Sequence, residues 1–247
     1  MTQKTPSPHF KSIQRDGIVV DILDSVKQAL LTDELKPGQR IPSETELMRE
    51  FGVGRNSIRE AMKMLQALGV VEVRRGDGTY VVDKPSLKNF QPLIFAMLLR
   101  INATKELVEL RTMTEIGYCQ LAGQCGTEED FAAIRDAGAA WEAEVMKKKP
   151  DLNRVLQLDM QYHRAIIAAT HNELVAMLAE TVEEIFFQTI RQVHTQERVL
   201  RYGLEGHRRI TESLSTRDPI RIYEAVTFSL EYWKSQFIKN EADKQTK

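Results

Sequence analysis

Cysteine is scarce in this 247-residue chain, which holds only Cys119 and Cys125. Six positions apart in a segment of helical pattern, they fall on different faces and out of bridging geometry, so both are read as reduced thiols. Long apolar runs are missing as well. The longest, Pro92 to Leu99, stops far short of the roughly 20 residues a membrane-spanning helix needs. The first ten residues, Met-Thr-Gln-Lys-Thr-Pro-Ser-Pro-His-Phe, contain no apolar core of a secretory leader, so a cytoplasmic protein with no membrane partner is expected. Nor is there an excess of charge of one sign: the formal net charge is −1, residues 1–84 carry 13 Lys/Arg against 12 Asp/Glu, and the remainder carries 21 against 23. Any nucleic-acid contact must therefore come from basic residues gathered on one face. A nucleophile motif and a phosphate-binding loop are also absent.

What is present is the composition of a globular protein, 42% hydrophobic and 28% charged, in a chain long enough for two ordinary domains. Ile18, Ile22, Val26, Leu30 and Leu31 recur at helical spacing until Pro37-Gly38 breaks the pattern, which predicts a first helix over Asp16 to Thr32. Ser43 and Glu46 are spaced as a capping box and open a short helix ending at Phe51. After Gly52-Val53-Gly54, a third helical segment puts Ile58, Met62, Leu65 and Leu68 on one stripe, with Arg55, Asn56, Ser57, Arg59 and Lys63 largely off it. Two β-branched runs, Val70–Arg74 and Thr79–Val82, flank Arg75-Gly76-Asp77-Gly78 and predict a hairpin.

Helix, turn, helix, hairpin is the order of a winged helix-turn-helix, whose third helix enters the major groove of double-stranded DNA. Arg55 and Arg59 lie one turn apart and can both reach guanine edges or phosphates, Asn56 and Ser57 can donate beside them, and Arg74, Arg75 and Gly76 extend the basic strip. Past residue 84 no strand signal recurs. Helical periodicity runs through 91–100, 104–125, 127–149, 151–170, 172–194, 195–215 and 218–240. The fold class expected is mainly α, an N-terminal winged helix-turn-helix of three helices and a β-hairpin followed by an all-α helical bundle. Its divisions are a flexible N-terminus over 1–14, a DNA-binding domain over 15–84, a linker over 85–91, a helical domain over 92–240 and a flexible tail over 241–247.

Within that helical domain Asp159 and His163 stand at i, i+4, so a carboxylate and an imidazole project from one face, the spacing of metal ligands. His207, opening Gly-His-Arg-Arg-Ile, is a third candidate, and one Asp with two His suits zinc, manganese, nickel or iron. Glu115, one turn beyond Arg111, can hold that arginine in place. His171 and His194 receive no role.

The stretches Leu-Lys-Pro-Gly-Gln-Arg-Ile-Pro-Ser-Glu-Thr-Glu-Leu, Phe-Gly-Val-Gly-Arg-Asn-Ser-Ile-Arg-Glu-Ala-Met-Lys-Met-Leu and Gly-Val-Val-Glu-Val-Arg-Arg-Gly-Asp-Gly-Thr-Tyr-Val resemble the GntR-type transcription regulators over residues 15–83. The resemblance implies that Arg55 and Arg59 contact DNA from the recognition helix, that Asn56 and Ser57 sit at its start, and that Arg75 and Gly76 form the wing tip. Two positions depart: Thr45 stands where many relatives carry an arginine, and Gly54 where a Ser or Thr usually caps the third helix.

From Leu93 to Trp233, the segments Leu-Val-Glu-Leu-Arg-Thr-Met-Thr-Glu, Asp-Met-Gln-Tyr-His-Arg-Ala-Ile, Thr-His-Asn-Glu-Leu and Gly-His-Arg-Arg-Ile resemble the FCD-type ligand domain of the FadR subfamily. This likeness implies Asp159, His163 and His207 as ligands of a divalent transition metal, zinc first, with nickel, manganese or iron as alternatives. It further implies Arg111 beside an effector carboxylate and puts Ser229 in the same site, which Glu115 joins through its spacing from Arg111. Ser229 occupies the place of a usual fourth histidine, and a hydroxyl is a poor ligand for such metals. A hydroxy acid, sugar acid or fatty acyl derivative is the effector class implied.

The function expected is a homodimeric repressor of transcription whose affinity for a two-fold operator is set by a small carboxylic acid. One alternative is a metal-dependent oxygenase or hydrolase using Asp159, His163 and His207. Another is a repressor that answers to metal alone.

Overall fold

The computed structural model describes residues 16–84, 91–99, 104–193 and 197–245. Residues 1–14 and, apart from Gln91, the expected linker lie outside them, as does His194. The chain divides into two compact units, Met1–Asn89 and Phe90–Lys247.

In the first unit three helices, α1 (Asp16–Leu31), α2 (Glu44–Phe51) and α3 (Arg55–Ala67), precede two strands, β1 (Val71–Arg74) and β2 (Gly78–Val81). The capping box forms as the spacing predicts: the Glu46 N–H donates to Ser43 Oγ at 3.4 Å and the Ser43 N–H donates to the Glu46 carboxylate at 2.7 Å. Such a cap stabilises a short helix by about 1 kcal/mol. Of the expected stripe of α3, Ile58 and Leu65 turn inward together with Ala61 and meet Ile22 and Val26 of α1, Leu47 of α2 and Val71 and Val81 of the hairpin, while Met62 packs at the margin and Leu68, past the end of the helix, is exposed. The strands pair antiparallel from Val71 opposite Val81 to Arg74 opposite Gly78. Their turn needs a residue with positive φ, and Gly76 supplies it at 77°. The segment before α2 covers the free edge of β2, with the Ile41 N–H donating to Thr79 O and the Val81 N–H to Gln39 O, each at 2.8 Å.

The second unit is helical throughout its described residues: α4 (Gln91–Leu98), α5 (Thr104–Cys125), α6 (Glu128–Val145), α7 (Leu152–Ala168), α8 (Glu173–Val193), α9 (Glu197–Thr216) and α10 (Pro219–Gln245). α10 continues through residues 241–245, which the sequence reading assigned to a flexible tail; Glu, Ala, Lys and Gln sustain a helix where no glycine or proline ends it. α9 packs on α10, α6 on α7, and α5 on α10. Arg217, just past α9, closes the C-terminal end of α5 by donating to Gly126 O at 2.9 Å and Gly123 O at 3.3 Å. Both cysteines are free, Cys119 buried and Cys125 exposed.

α7 shows how the bundle places its chemistry. Val155, Leu158, Tyr162, Ile166 and Ile167 are buried, and the same inward face carries Asp159 and His163. Two ionisable groups thus enter a largely apolar core. α9 meets α10 so closely at Gly206 that a Cβ there would lie 2.6 Å from Ser229 Oγ and 3.0 Å from Ser229 Cα. Gly206→Ala is expected to destabilise the protein by roughly 1–3 kcal/mol, because the overlap with backbone outweighs the helical preference for alanine. Thermal unfolding of G206A and of the double variant G206A/S229A checks this; full recovery in the double variant would place the clash at the hydroxyl alone.

Candidate DNA-reading surface and buried metal-ligand site

In the first unit α3 presents Arg55, Asn56 and Arg59 to solvent, with Ser57 half-buried at the helix start. Gly54 caps α3 through its backbone conformation, without a side-chain hydrogen bond. Arg75 and Gly76 are exposed at the hairpin turn. Arg74 is more constrained than its place in the basic strip suggests: it pairs with Glu72 at 2.7 Å and stacks over Tyr80 at 4.1 Å, and the Tyr80 hydroxyl donates to Asp77 at 2.9 Å. A groove between α2, α3 and the hairpin brings Arg40, Arg49, Arg59 and Lys63 together. Arg40 and Arg49 were not singled out in the sequence. Arg49 lies one turn beyond Thr45 on α2 and returns to that helix a cation of the kind Thr45 lacks.

In the second unit, Asp159 and His163 from α7 meet His207 from α9, as their side chains allow one ligand atom each, all within 4.8 Å of one another. His207 Nε2 lies 3.3 Å from Asp159 Oδ1. Atoms bonded to one first-row ion at about 2.1 Å stand at most about 4.2 Å apart, so drawing in by about half an ångström completes the set. Two nitrogens and an oxygen, all buried, are the donor chemistry such an ion takes. The residues therefore fit a divalent transition metal.

Aromatic side chains fix the imidazoles. The His207 ring stacks on Tyr162 with centroids 4.1 Å apart and leans on Trp141 at 4.4 Å. The Tyr162 hydroxyl donates to the backbone carbonyl of His207 at 2.9 Å, pinning α9 to α7. His163 Nδ1 is 2.9 Å from the Tyr118 hydroxyl, which leaves Nε2 for a ligand.

Arg111 lies beside this cluster with its guanidinium 4.1 Å over the Trp233 ring and 3.5 Å from Glu115 Oε2. Glu115 is buried, so the i, i+4 pair is an internal clamp rather than a solvated surface pair. Two small cavities adjoin the site. One, of about 30 Å³, is lined by Arg111, Glu115, Tyr118, Asp159, His163 and Glu183; the other, of about 40 Å³, includes Arg111, Asp159, His163, His207, Ser229 and Trp233. Ser229 thus faces the ligand cluster without supplying a strong ligand. Volumes of this size hold an ion with a water or two, and an organic acid requires lining side chains to give way.

Glu183, Tyr118 and Trp233 belong to the site without having been singled out in the sequence. Tyr118 follows Glu115 at i+3 and Trp233 follows Ser229 at i+4, so helical spacing from the recognised residues leads to both. Glu183 sits among Glu180, Glu183 and Glu184 of α8, where spacing does not tell the inward carboxylate from its exposed neighbour. His171 is placed elsewhere: exposed, it bonds Asp130 at 2.7 Å beside the N-terminal cap of α6.

A winged helix that presents arginines, joined in one chain to a helical domain with a buried ligand site, is the architecture of a ligand-responsive transcription regulator. The chain belongs to the GntR family, in its FCD-containing, FadR-like branch. The family model of bacterial regulatory proteins of the gntR family matches residues 19–81 and that of the FCD domain matches 106–231. Among its relatives, the HTH-type transcriptional regulator LutR of Bacillus subtilis is 35% identical over 159 residues, 64% of this chain and 71% of that protein. The Glc operon transcriptional activator of Escherichia coli K12 is 26% identical over 178 residues, 72% of this chain and 70% of that protein. A solved GntR structure from Streptococcus agalactiae shares the fold with a TM-score of 0.58 at 23% identity, covering 88% of this chain and 99% of that one. These are regulators, and the reading of Asp159, His163 and His207 as an oxygenase or hydrolase centre has no support among them. Among the described residues no helix is long and apolar enough to cross a membrane.

Burial, reinforced by nearby Glu115 and Asp159 and opposed by His163 and Arg111, pushes the Glu183 carboxyl up to about 7. Below its ordinary value of 4.5 the group is protonated in folded and unfolded chains alike. As pH rises towards 7 the unfolded chain releases this proton while the folded chain keeps it, so native stability falls. The full shift corresponds to roughly 3 kcal/mol. Metal-free protein is therefore expected to lose up to that amount relative to Glu183→Gln between pH 4.5 and 7, measured by urea denaturation. Parallel pH profiles for the two proteins would show that the native state holds Glu183 ionised throughout.

Proposed function

We propose that this regulator binds a small carboxylic acid at Arg111 in the FCD domain, next to a divalent transition metal held by Asp159, His163 and His207, and that this occupancy sets its affinity for operator DNA. The observation that carries the reading is the juxtaposition, in one buried pocket, of a transition-metal donor set and a guanidinium clamped by Glu115 and Trp233. When bound, the ion supplies positive charge and open positions that accept a carboxylate oxygen, and zinc is the metal this donor set favours first, with nickel, manganese and iron as alternatives. Arg111 holds the acid's other oxygen. Tyr118 orients His163, Tyr162 and Trp141 orient His207, and Ser229 leaves room for the effector where a fourth strong ligand would stand.

The labour is divided between a DNA-binding domain over 15–84 and an effector domain from residue 92 onward. Arg55 and Arg59 read bases or phosphates from α3, Asn56 and Ser57 support them, and Arg75 and Gly76 meet the backbone from the wing. The protein acts as a homodimer on a two-fold operator and as a repressor whose hold on DNA the acid alters. Relatives bear names of both signs, such as the Galactonate operon transcriptional repressor and the Glc operon transcriptional activator of E. coli K12.

Thermal unfolding of chelator-stripped protein, with each divalent metal and a panel of carboxylic acids, tests the sensing half. A specific ligand at 100 times its dissociation constant adds about 2.7 kcal/mol of stability. The reading expects one acid to shift the melting temperature strongly only when metal is present; no response to metal, or an acid shift indifferent to it, would remove the metal from the site. Ser229→His is expected to raise metal affinity about tenfold or more by adding an imidazole ligand, read by competition with a chromophoric chelator. On the DNA side, Arg55→Ala or Arg59→Ala should cost about 1–3 kcal/mol of affinity for an operator selected from random duplexes. Arg75→Ala should weaken binding evenly across sequences. Unchanged affinity in the α3 variants, or altered base preference in the wing variant, would reassign those contacts.

A further inference from the structure

Two polar atoms in the cavity beside the metal-ligand set stand out because they are buried and make no hydrogen bond among the described residues: Arg111 Nη1 and Glu183 Oε1. Both residues line the same small cavity, Arg111 from α5 and Glu183 from α8. Among the described residues the closest basic nitrogen to Glu183 Oε1 is His163 Nδ1 at 4.0 Å, beyond hydrogen-bonding reach, and that nitrogen is already 2.9 Å from the Tyr118 hydroxyl. A buried donor or acceptor left unmade costs free energy, and a native pocket that keeps one of each is shaped to have them satisfied from outside. Arg111 is the donor and calls for an acceptor. Glu183 is the acceptor and calls for a donor.

We infer that Glu183 is a specificity-determining residue that accepts a hydrogen bond from a hydroxyl or amino group of the effector, so that the acid recognised is a carboxylate bearing such a donor rather than a plain, keto or dicarboxylic acid. The inference rests on the carboxylate reading of the site given above and names the second group on the ligand. Charge in the pocket points the same way. Arg111 and a divalent ion would carry three positive charges against the three carboxylates Glu115, Asp159 and Glu183, so one effector carboxylate already leaves the site one negative charge in excess, and a second would have to lie against Glu183. Beside a bound divalent ion Glu183 would be held as the carboxylate, so a keto oxygen placed there would set an acceptor against an acceptor, and a methylene would leave its buried oxygen unmet.

Glu183 differs in this respect from the groups around it. Asp159, His163 and His207 form the donor set, Glu115 is taken by Arg111, and Tyr118 is taken by His163. Only Glu183 is on a helix, α8, that contributes no other polar group to this cavity, whose remaining α8 lining is Ala179, Val182 and Phe186.

The test is calorimetric titration of the full-length, zinc-loaded protein with matched sets of acids from two to six carbons, each set comprising the unsubstituted, 2-oxo, 2-hydroxy and 2-amino acid and the dicarboxylate of equal length. In the set that binds, the hydroxy or amino acid is expected to bind about tenfold or more tightly than its unsubstituted and oxo counterparts, and the comparison of those two arms identifies which donor is used. Glu183→Gln turns one carboxylate oxygen into an N–H donor and is expected to narrow or invert the hydroxy-over-oxo ratio; a gain in oxo-acid affinity cannot come from misfolding. Glu183→Ala should flatten the ratio. Equal affinities for hydroxy and oxo acids in the wild-type protein, or a ratio unmoved in both variants, would overturn the assignment of Glu183 while leaving the carboxylate site standing. If no acid in any set binds, the carboxylate reading itself fails.

Discussion

Ionisable side chains in an apolar bundle are the constraint around which the helical domain is organised. Asp159, His163, His207 and Glu115 are each less than a tenth exposed, and Arg111 and Glu183 lie against them. Removing charges from water costs several kcal/mol apiece unless partners replace the lost hydration. The bundle answers with pairing, Arg111 to Glu115 and His207 to Asp159, and with aromatic walls that hold the rings in one orientation. Hydrophobic residues of similar volume would make a more stable bundle, so the arrangement makes physical sense as preparation for a charged guest.

The same constraint explains the closeness of α9 and α10. His207 reaches Asp159 only if α9 lies against α7, and the Tyr162 hydroxyl on the His207 carbonyl secures that placement. Gly206, immediately before His207, then lets α10 approach until Ser229 occupies the space a Cβ would need. Metal-ligand geometry and helix packing are thereby set by adjacent residues, and a change in one is felt by the other.

Much of this architecture was legible in the sequence. The capping box of Ser43 and Glu46, the stripe of α3 and the glycines of the wing are local signals, and local hydrogen bonds and backbone angles realise them directly. α5 begins at Thr104 and ends at Cys125 where periodicity placed its ends, and Asp159 with His163 declared itself through i, i+4 spacing. What escaped depends on contacts between distant segments. Glu183 reads as one of several acids on an amphipathic helix until α8 is packed against α5 and α7. Arg40 and Arg49 join Arg59 and Lys63 in one groove only once the hairpin folds beside α2. Arg74 looked like one more free cation in a basic strip, yet its own neighbours Glu72 and Tyr80 restrain it. α10 runs on through 241–245, past the end expected at residue 240, and polar residues such as Glu, Lys and Gln are good helix formers.

Because the donor set spans α7 and α9, an occupied site would join residues 163 and 207 across the whole of α8. Such a link closes a long loop in the unfolded chain and raises native stability by the same entropic route as a covalent cross-bridge. In a chain with only two cysteines, both unpaired, coordination would thus take the place of a disulfide, with the difference that it can be removed and restored as metal supply changes. The rigidity of the sensing domain would then track the metal status of the cell before any acid arrives.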